Sequence, residues 1–211
     1  MILKKTAQFI CVILVLVLSE CTPPCKFIFN QLYLQKDFTG RDIYRKTIEI
    51  CPVLFENGPD MTSFAEQKLM ELLKKTKPKI IINKKNRLKD IFCRHCDITL
   101  LENFYKKLYE SDMISLQTSD SIWSRVESDY LLVVYVRGGY TLQTLGSRAL
   151  KKIVVETELW NCHGMKVVWR GAAESTCVNE KKSDFKLLFE TVEKIFLELP
   201  SPIPSYDKKN W

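Results

Sequence analysis

Apolar residues along this chain fall into separate stretches, and the spacing within each stretch predicts an element. Lys46 to Phe55 (KTIEICPVLF) is the first strand candidate. Pro52, which has no N–H, limits it to an edge or ends its regular pairing. Asn57-Gly58-Pro59-Asp60 is turn chemistry, and from Thr62 to Lys75 the residues Phe64, Leu69, Leu72 and Leu73 recur at helical spacing. Ile80-Ile81-Ile82, just after Pro78, predicts a short buried strand. A second helix is expected from Ile98 to about Glu110, with Asp97 as its N-cap and Ile98, Leu101, Phe104, Tyr105 and Leu108 on one face. Ser119 to Glu127 reads as a short helix.

The pattern is clearest from Tyr130 onward. Tyr130 to Val136 (YLLVVYV) is apolar at every position, as a strand covered on both faces would be, and Gly138-Gly139 is expected to break it. Ala149 to Trp160 alternates, with Ile153, Val155, Thr157 and Leu159 on one face and Lys152, Glu156 and Glu158 on the other. Met165 to Ala173 returns as its partner through a turn at His163-Gly164. Asp184 to Leu199 is the best helix, with Phe185, Leu188, Phe189, Val192, Ile195, Phe196 and Leu199 in one stripe and Ser183 as N-cap. Pro200, Pro202 and Pro204 end regular structure. This order predicts a single α/β domain over residues 46–199. Its mixed sheet has about five strands, including a C-terminal three-strand antiparallel meander, packed by three main helices. Residues 21–45, which contain Pro23-Pro24 and no clear period, read as anchor and tether, and residues 200–211 as a Pro-rich tail.

The first 20 residues change the picture from fold to location. Lys4 and Lys5 precede an unbroken apolar run from Phe9 to Leu18. As a helix that run rises about 15 Å, half of a bilayer core, so it is signal-peptide length rather than a span. Leu18-Ser19-Glu20-Cys21 then resembles the lipobox of bacterial lipoproteins, in which the cysteine receives diacylglycerol. Glu20 stands where that family has a small or neutral residue. The reading favours lipidation at Cys21; ordinary signal cleavage is the alternative and would release a soluble secreted protein. Lipidation would supply palmitate-type acyl chains as a membrane anchor, and more than one chain gives stable attachment.

Composition adds two facts. The chain has eight cysteines, of which Cys11 leaves with the signal and Cys21 would carry lipid. Cys25, Cys51, Cys93, Cys96, Cys162 and Cys177 remain for an oxidising compartment, as disulfides or buried thiols whose pairing the sequence does not give. Cys93-Arg94-His95-Cys96 before a helix resembles the motif of thioredoxin-like oxidoreductases, where a helix N-terminus lowers the thiolate pKa. That fold needs an apolar strand directly upstream, and residues 84–90 (KKNRLKD) are not one; it also needs a proline opening a later strand, and none occurs from Cys96 to Leu199. No metal site is expected, since two histidines and no second suitably spaced ligand pair leave no set, and no cofactor is implied.

The second fact is charge. Lys74, Lys75, Lys77, Lys79, Lys84, Lys85, Arg87 and Lys89 fall in one stretch without an acid. They read first as solvated helix-end and loop residues. The functional alternative is an anionic partner such as lipid headgroups or polysaccharide, since nucleic acid does not fit an exported chain.

Ser128-Asp129-Tyr130 leading into LLVVYV, then a long strand, then His163-Gly164-Met165-Lys166-Val167-Val168-Trp169, resembles an uncharacterised spirochaete and myxobacterial lipoprotein family. More distantly it is similar to α/β domains of the curli-secretion lipoprotein, the penicillin-binding-protein activator lipoproteins and the amino-terminal domain of the Tol system's propeller protein. The resemblance spans about residues 45–198, and the family's usual turn pair, Thr-Gly, is His163-Gly164 here. It implies a non-enzymatic accessory or assembly protein of the bacterial envelope, anchored at the outer membrane and binding another envelope protein. It transfers no catalytic residue. The alternatives are a thiol-disulfide oxidoreductase using Cys93 and Cys96, and a soluble secreted effector.

Overall fold

A computed structural model describes residues 25–55, 58–60, 63–83, 103–104, 123–142, 150–178 and 183–201. Their elements, in order, are β1 (Lys26–Leu34), β2 (Thr47–Ile50), β3 (Val53–Phe55), β4 (Gly58–Asp60), α1 (Ser63–Thr76), β5 (Ile81–Ile82), β6 (Tyr130–Leu142), β7 (Leu150–Asn161), β8 (Lys166–Cys177) and α2 (Asp184–Glu198). One mixed sheet holds all the strands in the order β1-β8-β7-β6-β2-β5, with β3 also beside β6 and β4 beside β3. The α/β class and the antiparallel meander β6-β7-β8 are as the pattern predicts. The sheet is larger, eight strands rather than about five. Two of the expected three helices are described; the one expected over 98–110 lies outside the described residues except Asn103 and Phe104.

β2 and β3 are one strand interrupted at Cys51-Pro52. Ile50 pairs with Leu132 but Leu54 pairs with Tyr135, so the register slips by one residue where Pro52 cannot donate to the ladder. β6 runs on past the expected break at Gly138-Gly139, because the chain absorbs Arg137 in a bulge and continues to Leu142. β6 is buried on both faces, as its sequence demands. Tyr130, Leu132, Val134 and Val136 face α1 and α2 in the main core. Leu131, Val133 and Tyr135 face a second cluster with Cys51, Leu54, Phe104, Trp123, Trp160 and Cys162.

α1 and α2 lie side by side and parallel. Phe64 at the start of α1 meets Phe189 near the start of α2, and Lys77 just past α1 donates to the carbonyl of Leu197 at the end of α2. Ser183 caps α2 as expected, accepting from the Lys186 N–H. Two members of the expected apolar stripes are not in the core. Phe64 and Phe185 are exposed, while Leu187, left out of the stripe, is buried. Both phenylalanines sit in first turns, at one end of the molecule.

The largest departure is β1. Residues 26–34, read as tether, form a nine-residue strand antiparallel to β8 at the edge of the sheet. Phe29 stacks on Trp169 with ring centroids 6.5 Å apart, and Lys194 of α2 lies 4.7 Å over the ring of Phe27. Gly171 makes this fit possible, since a Cβ there would come within 2.8 Å of both the Phe29 and Trp169 rings.

Candidate functional site

Most of the residues singled out in the sequence for chemistry lie outside the described residues: Cys21, Cys93, Cys96, Lys84, Lys85, Arg87 and Lys89. The other four lysines do not share one role. Lys74 and Lys79 are exposed, but Lys75 pairs with Glu193. Lys77 is buried, donating to the Leu197 carbonyl and the Ser201 hydroxyl, both at 3.0 Å. It caps the C-terminal end of α2 in place of a residue of that helix, and burial lowers its pKa. A charge count could not separate this lysine from its solvated neighbours.

The cysteines divide into two kinds. Cys25 and Cys177 form a disulfide across 152 residues of sequence, fastening the start of β1 to the end of β8. Cys51 and Cys162 are buried free thiols. Burial pushes the Cys51 thiol well up, with Glu49 adding to it, and burial raises Cys162 likewise. Neither is a poised nucleophile, because a thiol attacks as its thiolate. Among the described residues no group of three His, Cys, Asp or Glu side chains is placed to hold a metal.

Asp129, part of the Ser128-Asp129-Tyr130 run that leads into β6, is a staple at the far end of the sheet. Its carboxylate accepts from the Thr47 N–H and hydroxyl, each at 2.9 Å, and from Lys46 Nζ at 3.0 Å. Burial pushes its pKa up, but these donors outweigh burial and hold it below the ordinary carboxylate range. His163, in the β7–β8 turn, is exposed, with Nε2 3.6 Å from Asp129. The left-handed position of that turn is Met165 (φ 47°).

A buried ionic cluster lies on the sheet face away from the helices. Glu158, 2% exposed, pairs with Arg170 on β8 and accepts from the Tyr135 hydroxyl at 3.0 Å and the Trp160 indole N–H at 2.8 Å. Glu156 joins Arg137 of β6 to Arg170. Burial raises the Glu158 pKa against the pull of Arg170. Glu158 and its three partners, joined through Arg170 and Glu156 to Arg137, make a rigid cross-strand brace rather than a site open to substrate. The alternation of charges along β7 marked this face as polar, but nothing in the sequence showed that the cluster was closed.

β1 has the properties of a docking site. Among the described residues no strand pairs with its outer side. From Phe27 to Gln35 it carries no charge, so the usual protection of an edge by lysine or glutamate is absent. Ile28, Leu32, Tyr33 and Leu34 are exposed, Leu32 most of all at 53%. A strand of nine residues offers a pairing edge about 30 Å long. One bulge, between Gln31 and Tyr33, interrupts it.

No family model and no curated protein matches the sequence. Similar arrangements occur among solved structures. The PelC dodecamer of Paraburkholderia phytofirmans is 10% identical at a TM-score of 0.46, over 83% of this chain and 99% of that one. Lipoprotein GNA1162 of Neisseria meningitidis is 13% identical at 0.47, over 71% and 95%. The hypothetical protein CT253 of Chlamydia trachomatis is 9% identical at 0.48, over 73% and 94%. At these scores they are likenesses of arrangement, and no role passes from them to this chain.

Proposed function

We propose that this chain is a lipid-anchored, non-enzymatic lipoprotein of the bacterial outer membrane whose α/β domain docks another envelope protein along β1. One observation carries the reading: β1 is long, uncharged beyond Lys26 and, among the described residues, unpaired on its outer side, yet fixed to the domain at Cys25–Cys177. A disulfide suits a compartment outside the cytoplasm. The signal-like start and Leu18-Ser19-Glu20-Cys21 supply the anchor, and β-strand addition supplies backbone hydrogen bonds with side-chain pockets on both faces.

Two measurements test this. Palmitate labels the wild-type chain and not Cys21→Ala; an unlabelled wild type would make the protein a soluble secreted one. In native envelopes, crosslinking and affinity capture recover one partner with the wild type, and Leu32→Lys or Ile28→Lys abolishes the capture. A partner held equally well by both variants refutes the role of β1.

A further inference from the structure

The disulfide fixes more than the edge strand, because it also fixes which end of the domain receives the anchor. Cys25 is bonded to Cys177, and Cys177 pairs in register with Lys151 at the start of β7. Lys151 is in turn ion-paired at 3.1 Å with Asp184, the first residue of α2. Since α1 runs parallel to α2, the first turns of both helices lie at this same end. This is where Phe64 and Phe185 emerge, 64% and 54% exposed, on either side of Phe189 at centroid distances of 6.1 and 6.4 Å. Beside them a cavity of about 260 Å³ is lined by apolar residues such as Phe55, Val136 and Phe185 and by the charged Lys151, Lys152 and Asp184.

We infer that this end of the domain rests on the bilayer surface, with Phe64 and Phe185 inserted at the boundary between headgroups and acyl chains. The inference builds on lipidation of Cys21. Three residues, Thr22, Pro23 and Pro24, lie between Cys21 and Cys25, and four fully extended steps of chain reach at most about 14 Å. The headgroup layer alone is roughly 5–8 Å thick, so Cys25 is kept within about 6–9 Å of its outer surface. Cys25 is covalently part of the sheet, so the tether cannot lengthen by peeling off β1 while the disulfide is intact. The end so held is the one with two exposed aromatic rings, the surface that gains most from the interface. Lys26 and Lys186, both exposed there, suit anionic headgroups, and Asp184 is already paired with Lys151. The opposite end carries Lys46, Asp129 and His163 and has no comparable aromatic pair among the described residues. Held this way, the strands stand across the membrane plane and the whole length of β1 faces sideways, open to a partner.

The test uses the full lipidated chain in vesicles of phosphatidylethanolamine and phosphatidylglycerol. Benzoylphenylalanine replaces Phe64, Phe185, Ile81 or Leu197 one at a time, and light-induced lipid adducts are read by mass. All four side chains are exposed, and Ile81 and Leu197 lie at the other end. Positions 64 and 185 should give lipid adducts at least about ten-fold above 81 and 197, falling to background when Cys21→Ala is added. Palmitate labelling of the same samples separates the two readings. A labelled chain with equal adducts at all four positions, or with protein rather than lipid adducts at 64 and 185, overturns this orientation and leaves the anchor standing. An unlabelled chain overturns the anchor, and the orientation with it.

Discussion

At one edge of the sheet β5 offers two residues, Ile81 and Ile82; at the other β1 offers nine. β5 is parallel to β2 and sits beside the Asp129 staple, since Ile81 donates to the carbonyl of Lys46, whose side chain Asp129 binds. It is short, and shortness alone protects an edge. β1 is not short and beyond Lys26 has no charge to protect it, and it is held by a disulfide, by Phe27 and Phe29 against α2 and Trp169, and by the braced strand β8 behind it. The difference teaches that the two edges serve different ends: one merely finishes the sheet, whereas the other is kept long and bare at the cost of extra fastening.

That contrast can be broken from the β1 side first. Arg170→Ala would leave Glu158 buried without its cation, and breaking a buried pair typically costs about 3–5 kcal/mol. Urea unfolding should show this loss. Removing Arg170 raises the Glu158 pKa further above its unfolded value. A raised carboxyl adds stability below its unfolded pKa and loses it as pH rises through the folded pKa, so the deficit should be larger at pH 8 than at pH 5.

Cys25→Ser comes next, at about 3 kcal/mol, the typical cost of losing a disulfide. Hydrogen exchange should then lose protection in residues 26–34 while β5 and its neighbours keep theirs. Uniform loss across the sheet would mean that the disulfide does not serve β1 in particular.

Asp129→Asn attacks the other side. Its carboxylate is partly exposed, so about 1 kcal/mol is expected at neutral pH. A lowered carboxyl contributes stability above its unfolded pKa and loses it as pH falls through the folded value. The wild type should therefore lose this contribution below about pH 4, and the Asn variant should have a flatter acid limb. Leu32→Lys should change stability least, within about 0.5 kcal/mol, because Leu32 is exposed.

The same contrast marks what was legible in the sequence. The meander and α2 were legible because their apolar positions follow periods of two and 3.6, and because Ser183 is a cap residue. β1 was not, since its apolar residues lie on both faces and four of the six stay exposed, so no alternation betrays a buried side. Its fastening depends on Cys25 finding Cys177, and six cysteines do not announce their pairing. Phe64 and Phe185 fit their stripes by spacing, but periodicity gives a direction around a helix and not how much of that turn its neighbours cover. Lys77 was one basic residue among eight until α2 was placed beside it.

The central claim is that β1 is the docking edge, and site-specific photocrosslinking in the native envelope tests it most directly. With benzoylphenylalanine in place of Leu32 on β1 or Ile81 on β5, both exposed, the account predicts one discrete protein adduct from position 32 and none from position 81. Adducts from 81 alone, equal adducts from both, or no protein adduct from 32 would contradict it.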